Sequence, residues 1–202
     1  MFNKRTSFDT NDLESVIAAC VGQNASAQRV LFKQFFGFAK SVCLRYCANT
    51  EEAEDVLNEG FLKVFQHLSG YDTARPFKAW LRTILVNTAI SYHRKYHKMA
   101  YMAELDEGRY VPFDDNVIDQ LAADDILALV QQLPVTMRTV FSLHVVDGYS
   151  LREIADMTET NEATVRSQFA RARQRLQQAI KTNYPHLFLT DPRMPLRYQN
   201  EN

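Results

Sequence analysis

The stretch from Ala53 to Leu68 constrains this chain more than any other. Ala53, Val56, Leu57, Gly60, Phe61, Val64, Phe65 and Leu68 recur at steps of three and four. That spacing stacks them on one face of a 3.6-residue helix and on no face of a strand. A start signal precedes the stripe: Asn49-Thr50, then Glu51, Glu52 and Glu54, acids suited to the positive end of a helix dipole. A helix this one-sided needs apolar partners, and the chain supplies them. Leu31, Phe35, Phe38, Val42 and Tyr46 repeat the pattern between Ser26 and about Cys47, and Phe77, Trp80, Leu81, Ile84, Leu85 and Tyr92 repeat it after Pro76. Ser69-Gly70-Tyr71-Asp72 closes one helix and Pro76 opens the next.

After Lys98 the pattern fades. Residues 99–119 mix acids, Gly108, Pro112 and scattered aromatics, and read as a linker. Periodicity returns at Leu121 to Leu133, is cut by Pro134, and resumes from Val135 to Val146; Asp147-Gly148-Tyr149 is a turn. Two more helices follow, about Leu151 to Thr158 and Glu162 to Lys181. The expected fold is all-α: two helical domains, 24–98 and 120–182, joined by a flexible linker. An N-terminal extension covers 1–23, and an irregular tail with Pro185, Pro192 and Pro195 covers 183–202.

Several function classes drop out. The first dozen residues lack the apolar core of a signal peptide, and no apolar run approaches membrane-spanning length. No membrane insertion and a cytoplasmic location are therefore expected. Three cysteines, Cys20, Cys43 and Cys47, are too few and odd in number for a disulfide framework. Cys43 with Cys47, and His93 with His97, sit four apart on helices, yet neither pair has a third or fourth metal ligand nearby. Packed thiols and solvated or DNA-facing histidines are expected, with no metal and no cofactor. The acids cluster at a helix start and in the linker, without a nucleophile or phosphate loop, so an enzyme is not expected. A net charge of −1 does not mark a general nucleic-acid binder, but the field that steers a partner is local.

Such a local field exists near the C-terminus. Ser150-Leu151-Arg152-Glu153 is a capping box, and its helix buries Leu151, Ile154, Ala155 and Met157. A break at Glu159-Thr160-Asn161 leads into a second helix that buries Val165, Phe169, Ala172 and Leu176. The opposite arc presents Arg166, Ser167, Ala170, Arg171 and Gln174, with Arg173 and Arg175 on the flanks. A short helix, a three-residue break and a basic second helix make a DNA-binding helix-turn-helix.

Two surfaces in the first half also stand out. Opposite the Ala53–Leu68 stripe lie Asp55, Asn58, Glu59, Leu62 and Gln66. A leucine ringed by carboxylates and amides suggests a partner surface. The helix after Pro76 carries Lys78, Arg82, His93, Arg94, Lys95, His97 and Lys98 interleaved with Tyr92, Tyr96 and Tyr101. Basic groups can track phosphates while aromatic faces stack on unpaired bases. Spacing alone does not separate this from a cationic helix end that complements the dipole.

Three segments together resemble one family. Glu51–Leu68 (EEAEDVLNEGFLKVFQHL), Phe77–Lys95 (FKAWLRTILVNTAISYHRK) and Leu133–Leu176 are similar, in order and spacing, to the extracytoplasmic-function sigma factors of the sigma-70 family. The resemblance spans about Asn24 to Lys181. It implies a sigma domain 2 helical bundle followed by a sigma domain 4 helix-turn-helix, binding core RNA polymerase and promoter DNA, with an anti-sigma factor as a regulatory partner. By similarity, Asp55, Asn58, Glu59, Phe61 and Leu62 would face or support the polymerase contact. Trp80, Arg82, Tyr92, Arg94 and Lys95 would meet the single-stranded minus-ten element, with Val86, Asn87, Thr88 and Ala89 as a loop that captures a flipped base. Thr164, Arg166, Ser167, Ala170, Arg171, Gln174 and Arg175 would read the duplex minus-thirty-five element.

The chain also departs from the family pattern. Asn58 replaces the usual glutamine, Glu159 and Thr160 stand where a glycine and an aliphatic residue are preferred, and Gln168 and Ala170 replace an arginine and a bulky residue. The promoter sequence cannot be copied from a relative. The rival reading is a two-domain transcription regulator that binds an operator without polymerase.

Overall fold

A computed structural model describes residues 8–96 and 123–185; the expected linker and most of the C-terminal tail lie outside the described residues. Eight α-helices and no strand are present among the described residues. The first unit holds α1 (Leu13–Val21), α2 (Ala25–Leu44), α3 (Thr50–His67) and α4 (Phe77–Tyr96). The second holds α5 (Ala123–Gln131), α6 (Val135–Phe141), a π-helical turn (Ser142–Val146), α7 (Leu151–Thr158) and α8 (Glu162–Asn183).

Local chemistry explains the boundaries. Asp12, Asn24, Asn49, Ser150 and Asn161 each cap a helix by accepting backbone N–H groups of the first turn, the donors a helix leaves unsatisfied. At α3 the Glu52 carboxylate reaches back to the Ala48 N–H at 2.8 Å, close to a capping box. Ser150 and Glu153 form a complete one.

The helix α1 lies inside the stretch read from sequence as an extension. Val16, Ile17 and Cys20 are buried in the same cluster as Leu31, Leu57 and Leu81. One turn and a half of apolar spacing is too short to stand out in a sequence; the helix is held by packing on α2 and on the 3-10 turn Leu68–Gly70. Between α3 and α4, a Cβ at Gly60 would come within 2.6 Å of the Leu85 side chain. Glycine there lets the two helices close up.

The two units are distinct in sequence but share one hydrophobic cluster, which runs from α4 (Val86, Ala89, Ile90) into Val140, Leu143, Ile154, Ala155 and Val165. A second cluster, centred on Leu129, Met137, Phe141 and Leu176, belongs to the C-terminal unit alone. The seam is also polar. Carbonyls at a helix C-terminus lack intrahelical partners, and the four from Leu44 to Cys47 each receive a side chain. Gln131 Nε2 reaches Leu44 O at 3.5 Å, Ser142 Oγ donates to Arg45 O at 3.4 Å, His93 Nε2 meets Tyr46 O at 2.6 Å, and Arg138 donates to Cys47 O. Three of those four donors come from the second unit. Arg138 is 3% exposed and also donates to Leu133 O at 2.9 Å, a cation at the negative end of α2.

Candidate functional site

Three surfaces expected from sequence can now be placed. The outer face of α3 is open. Asp55, Asn58, Glu59 and Leu62 are exposed, and Leu62 at 62% is the most exposed large apolar side chain among the described residues. Phe61 is buried beneath this face at 2% and packs on Phe32 with ring centroids 4.7 Å apart, so it supports the surface rather than lining it. Lys63 pairs with Glu59 at 2.7 Å and Lys40 with Glu54 at 3.2 Å. Beside Leu62 a groove is lined by Cys20, Val21, Gln28, Phe65 and Gln66.

The second surface departs from expectation. Val86, Asn87, Thr88 and Ala89 form no loop; they lie in the middle of α4. Val86 and Ala89 belong to the shared cluster, and the buried Thr88 hydroxyl donates to Ile84 O at 2.8 Å. Only Asn87 of the four is exposed. The sequence runs T-I-L-V-N-T-A without Gly or Pro, and nothing in it breaks a helix. The irregular segment that precedes α4 is the turn from α3, residues 68–76. There Tyr71 donates to Arg75 O and packs against Trp80 with ring centroids 5.1 Å apart.

His93 is also corrected: it is fully buried, neither solvated nor DNA-facing. It lies on the α4 face that turns inward toward the end of α2. Tyr92 is half-buried and packs against Tyr96 with ring centroids 4.6 Å apart and planes tilted by 44°, while Lys95 is exposed and lies over the Tyr96 ring at 5.0 Å. Burial, and then Glu52 and Asp55, push the Tyr92 hydroxyl above its ordinary pKa. Arg82 donates to Val146 O and pairs with Asp147; Arg94 pairs with Glu159. His97, Lys98 and Tyr101 lie outside the described residues.

The two helices of the helix-turn-helix and the break between them form where expected, but Leu151 and Met157 are only half-buried and Thr158 is buried beside Ile154 and Ala155. α7 has the expected bounds and capping box, and the Asn161 side chain accepts from the Thr164 N–H at 2.7 Å to start α8. Val165, Ala172 and Leu176 are buried; Phe169 is only half-buried, against His144 at 4.7 Å, with Arg173 above its ring at 5.8 Å. Gln168 is buried at 3%, a core position that spacing did not reveal. On the outward arc Arg166 and Gln174 are exposed and Ser167, Ala170 and Arg171 are half-buried; Thr164, in the first turn, is half-buried and Arg175, on the flank, is exposed. Arg166 Nε donates to Glu162 at 3.0 Å.

Cys20, Cys43 and Cys47 are buried free thiols. Burial pushes Cys20 up to about 11 and Cys43 to about 12, so they are packing groups rather than nucleophiles. Among the described residues no His, Cys, Asp or Glu cluster could hold a metal ion, and no helix is long and apolar enough to cross a membrane. Sequence reasoning missed Asp147 and Glu159, the carboxylates that meet the α4 arginines. The one signal was Glu159 standing where the family prefers glycine.

Residues 31–99 match the family described as Sigma-70 region 2, and residues 123–176 match Sigma-70, region 4. The chain is 30% identical over 150 residues to the RNA polymerase sigma-H factor of Pseudomonas aeruginosa, covering 68% of this chain and 78% of that protein. It is 26% identical over 153 residues to the ECF RNA polymerase sigma factor SigW of Bacillus subtilis, covering 69% and 81% respectively. Among solved structures it is similar to the sigma factor RpoE in complex with the anti-sigma factor NepR from Bartonella quintana, at 21% identity and a TM-score of 0.45, with 77% and 97% of the two chains covered. With two family regions matched in order, and a relative aligned over most of its length, the chain belongs to the extracytoplasmic-function sigma factors of the sigma-70 family.

Proposed function

We propose that this sigma factor docks on core RNA polymerase through Asp55, Asn58, Glu59 and Leu62, with Phe61 holding the face from below, and then directs initiation at specific promoters. The observation that carries this is Leu62, 62% exposed, with Asp55 and Glu59 on one side and Gln66 on the other, on a helix that buries Ala53, Val56, Leu57, Gly60, Phe61 and Val64 on its opposite side. An apolar anchor rimmed by charge is the anatomy of a specific interface. The minus-ten strand is met by Asn87, Arg82, Arg94, Lys95 and the Tyr92–Tyr96 pair, and the flipped base belongs to the 68–76 turn beside Trp80 rather than to α4. The minus-thirty-five duplex is read by the outward arc of α8 around Arg171, with Arg166 and Gln174 beside it. The protein is a binding factor, not an enzyme. It acts in the cytoplasm, and an anti-sigma protein is the regulatory partner that the family implies.

Run-off transcription with purified core polymerase on genomic fragments tests the whole reading. Promoter-specific transcripts that require this protein are the expected result. Tight, sequence-specific duplex binding by the protein alone, with no effect on transcripts, would instead support an operator-binding regulator.

A further inference from the structure

Arg166 is exposed near the start of α8, the end of a recognition helix that reaches base edges. Its neighbours on the helix surface, three and four residues away, are Glu162, Ala163, Phe169 and Ala170. Glu162 is the only polar side chain among them. Arg166 Nε donates to Glu162 Oε1 at 3.0 Å, and Nη2 donates to the same oxygen at 2.5 Å. Glu162 opens α8 directly after the Asn161 cap, so its backbone is fixed by the capped turn. With the Arg166 and Glu162 side chains 65% and 39% exposed, the pair contributes little to stability. Its consequence is directional. The side edge of the guanidinium, Nε and one N–H of Nη2, is turned to the carboxylate. The end edge, made by Nη1 and the second N–H of Nη2, points away from it. Two parallel N–H groups are what guanine O6 and N7 accept together, and the end edge supplies them.

We propose that Glu162 is a positioning residue for promoter selectivity: it holds Arg166 side-on, so that the end edge of the guanidinium meets a guanine of the upstream duplex rather than a phosphate. This rests on reading the outward arc of α8 as the minus-thirty-five surface. A carboxylate at a DNA-reading surface repels the phosphates and lowers affinity for every sequence. Ordering Arg166 before binding offsets that loss only where a guanine is present. Selectivity is a difference of affinities, and a repulsive group can raise it.

The test uses holoenzyme made with the full chain. Its probe is a duplex library built on a fragment that yields a run-off transcript, randomised over the upstream element and sequenced before and after capture. Arg166→Ala should lower the preference for guanine at one position by about tenfold. Glu162→Ala should lower it at the same position by about fivefold, the scale of ordering one long side chain on binding, while the rest of the library binds as tightly or more tightly. In the Arg166→Ala background, Glu162→Ala should change the profile no further, because a positioning residue acts only through the side chain it holds. Glu162→Gln keeps an acceptor oxygen and should retain part of the preference. A merely structural role would weaken all sequences together. A folded Glu162→Ala variant with a wild-type profile, or with a uniform loss, overturns the proposal. A further change in the Arg166→Ala background also overturns it, since Glu162 would then touch a base itself. A uniform loss in Arg166→Ala overturns something larger, the place of Arg166 on the reading face, and the proposal falls with it.

Discussion

Helices α3 and α4 pack side by side in one unit and differ in what covers their backs. α3 buries one stripe and leaves Asp55, Asn58, Glu59 and Leu62 in solvent. α4 buries Phe77, Leu81, Leu85, Val86, Ala89 and Ile90 in a cluster that also takes in Ile154, Ala155 and Val165 of the helix-turn-helix, and its Arg82 and Arg94 pair with Asp147 and Glu159. The difference teaches an order of events. A surface that is open in the free protein can meet its partner first, and one that is covered must wait for a rearrangement whose cost lowers apparent affinity.

The largest expected effect falls on the open face. Asp55→Lys with Glu59→Lys should abolish association with core polymerase while unfolding free energy stays within about 0.5 kcal/mol, the usual range for surface changes. A folded double variant that still co-elutes with polymerase would remove the contrast between the two helices.

The seam comes next. Arg138→Ala removes a buried cation shared by the Cys47, Gln131 and Leu133 carbonyls, and it should destabilise the protein by about 3 kcal/mol, the upper scale for hydrogen bonds to a charged group. Urea unfolding of the full chain measures it. A loss no larger than a surface substitution would mean that the α2 terminus is satisfied without the second unit.

On α8 the contrast sharpens from position to manner of contact. Arg171→Ala should cost about 1–3 kcal/mol on the preferred upstream element and flatten preference at one base pair. Arg175→Ala, on the exposed flank, should weaken all sequences alike and reduce the salt slope by about one unit. Holoenzyme titrations at several salt concentrations, over every single-base variant of the element, separate the two. A uniform loss in Arg171→Ala would make that residue a phosphate clamp and rotate the reading face.

The smallest effect is a pH dependence, and its sign runs against intuition. Burial pushes Asp147 from 3.8 up to about 6, with Arg45 opposing, and Arg82 facing it across the seam. A carboxyl with a raised pKa binds its proton more tightly while the two units are packed together, so their packing strengthens as pH falls through 6 and weakens as pH rises between about 4 and 6. Scattering at pH 5.5 should therefore show a protein at least as compact as at pH 7.5. Asp147→Asn should be compact at both values. Expansion on acidification would show that the ion pair with Arg82 outweighs the burial of the carboxylate.

The amino-acid sequence determined every feature written in short range. Apolar steps of three and four placed α2, α3 and α4. The Ser150–Glu153 box fixed α7 to the residue, and the outward position of Leu62 followed from its place opposite the stripe. These depend on neighbours within a turn or two, so periodicity carries them. Tertiary structure decided what depends on contacts distant in the chain. It drew α1 into the core, kept Val86–Ala89 helical and turned His93 inward. It also set Arg138 against Cys47, 91 residues away. No periodicity records which of two apolar-faced units will cover the other. Both faces of α4 read simply as apolar and basic, and only packing assigned one of them to a second domain.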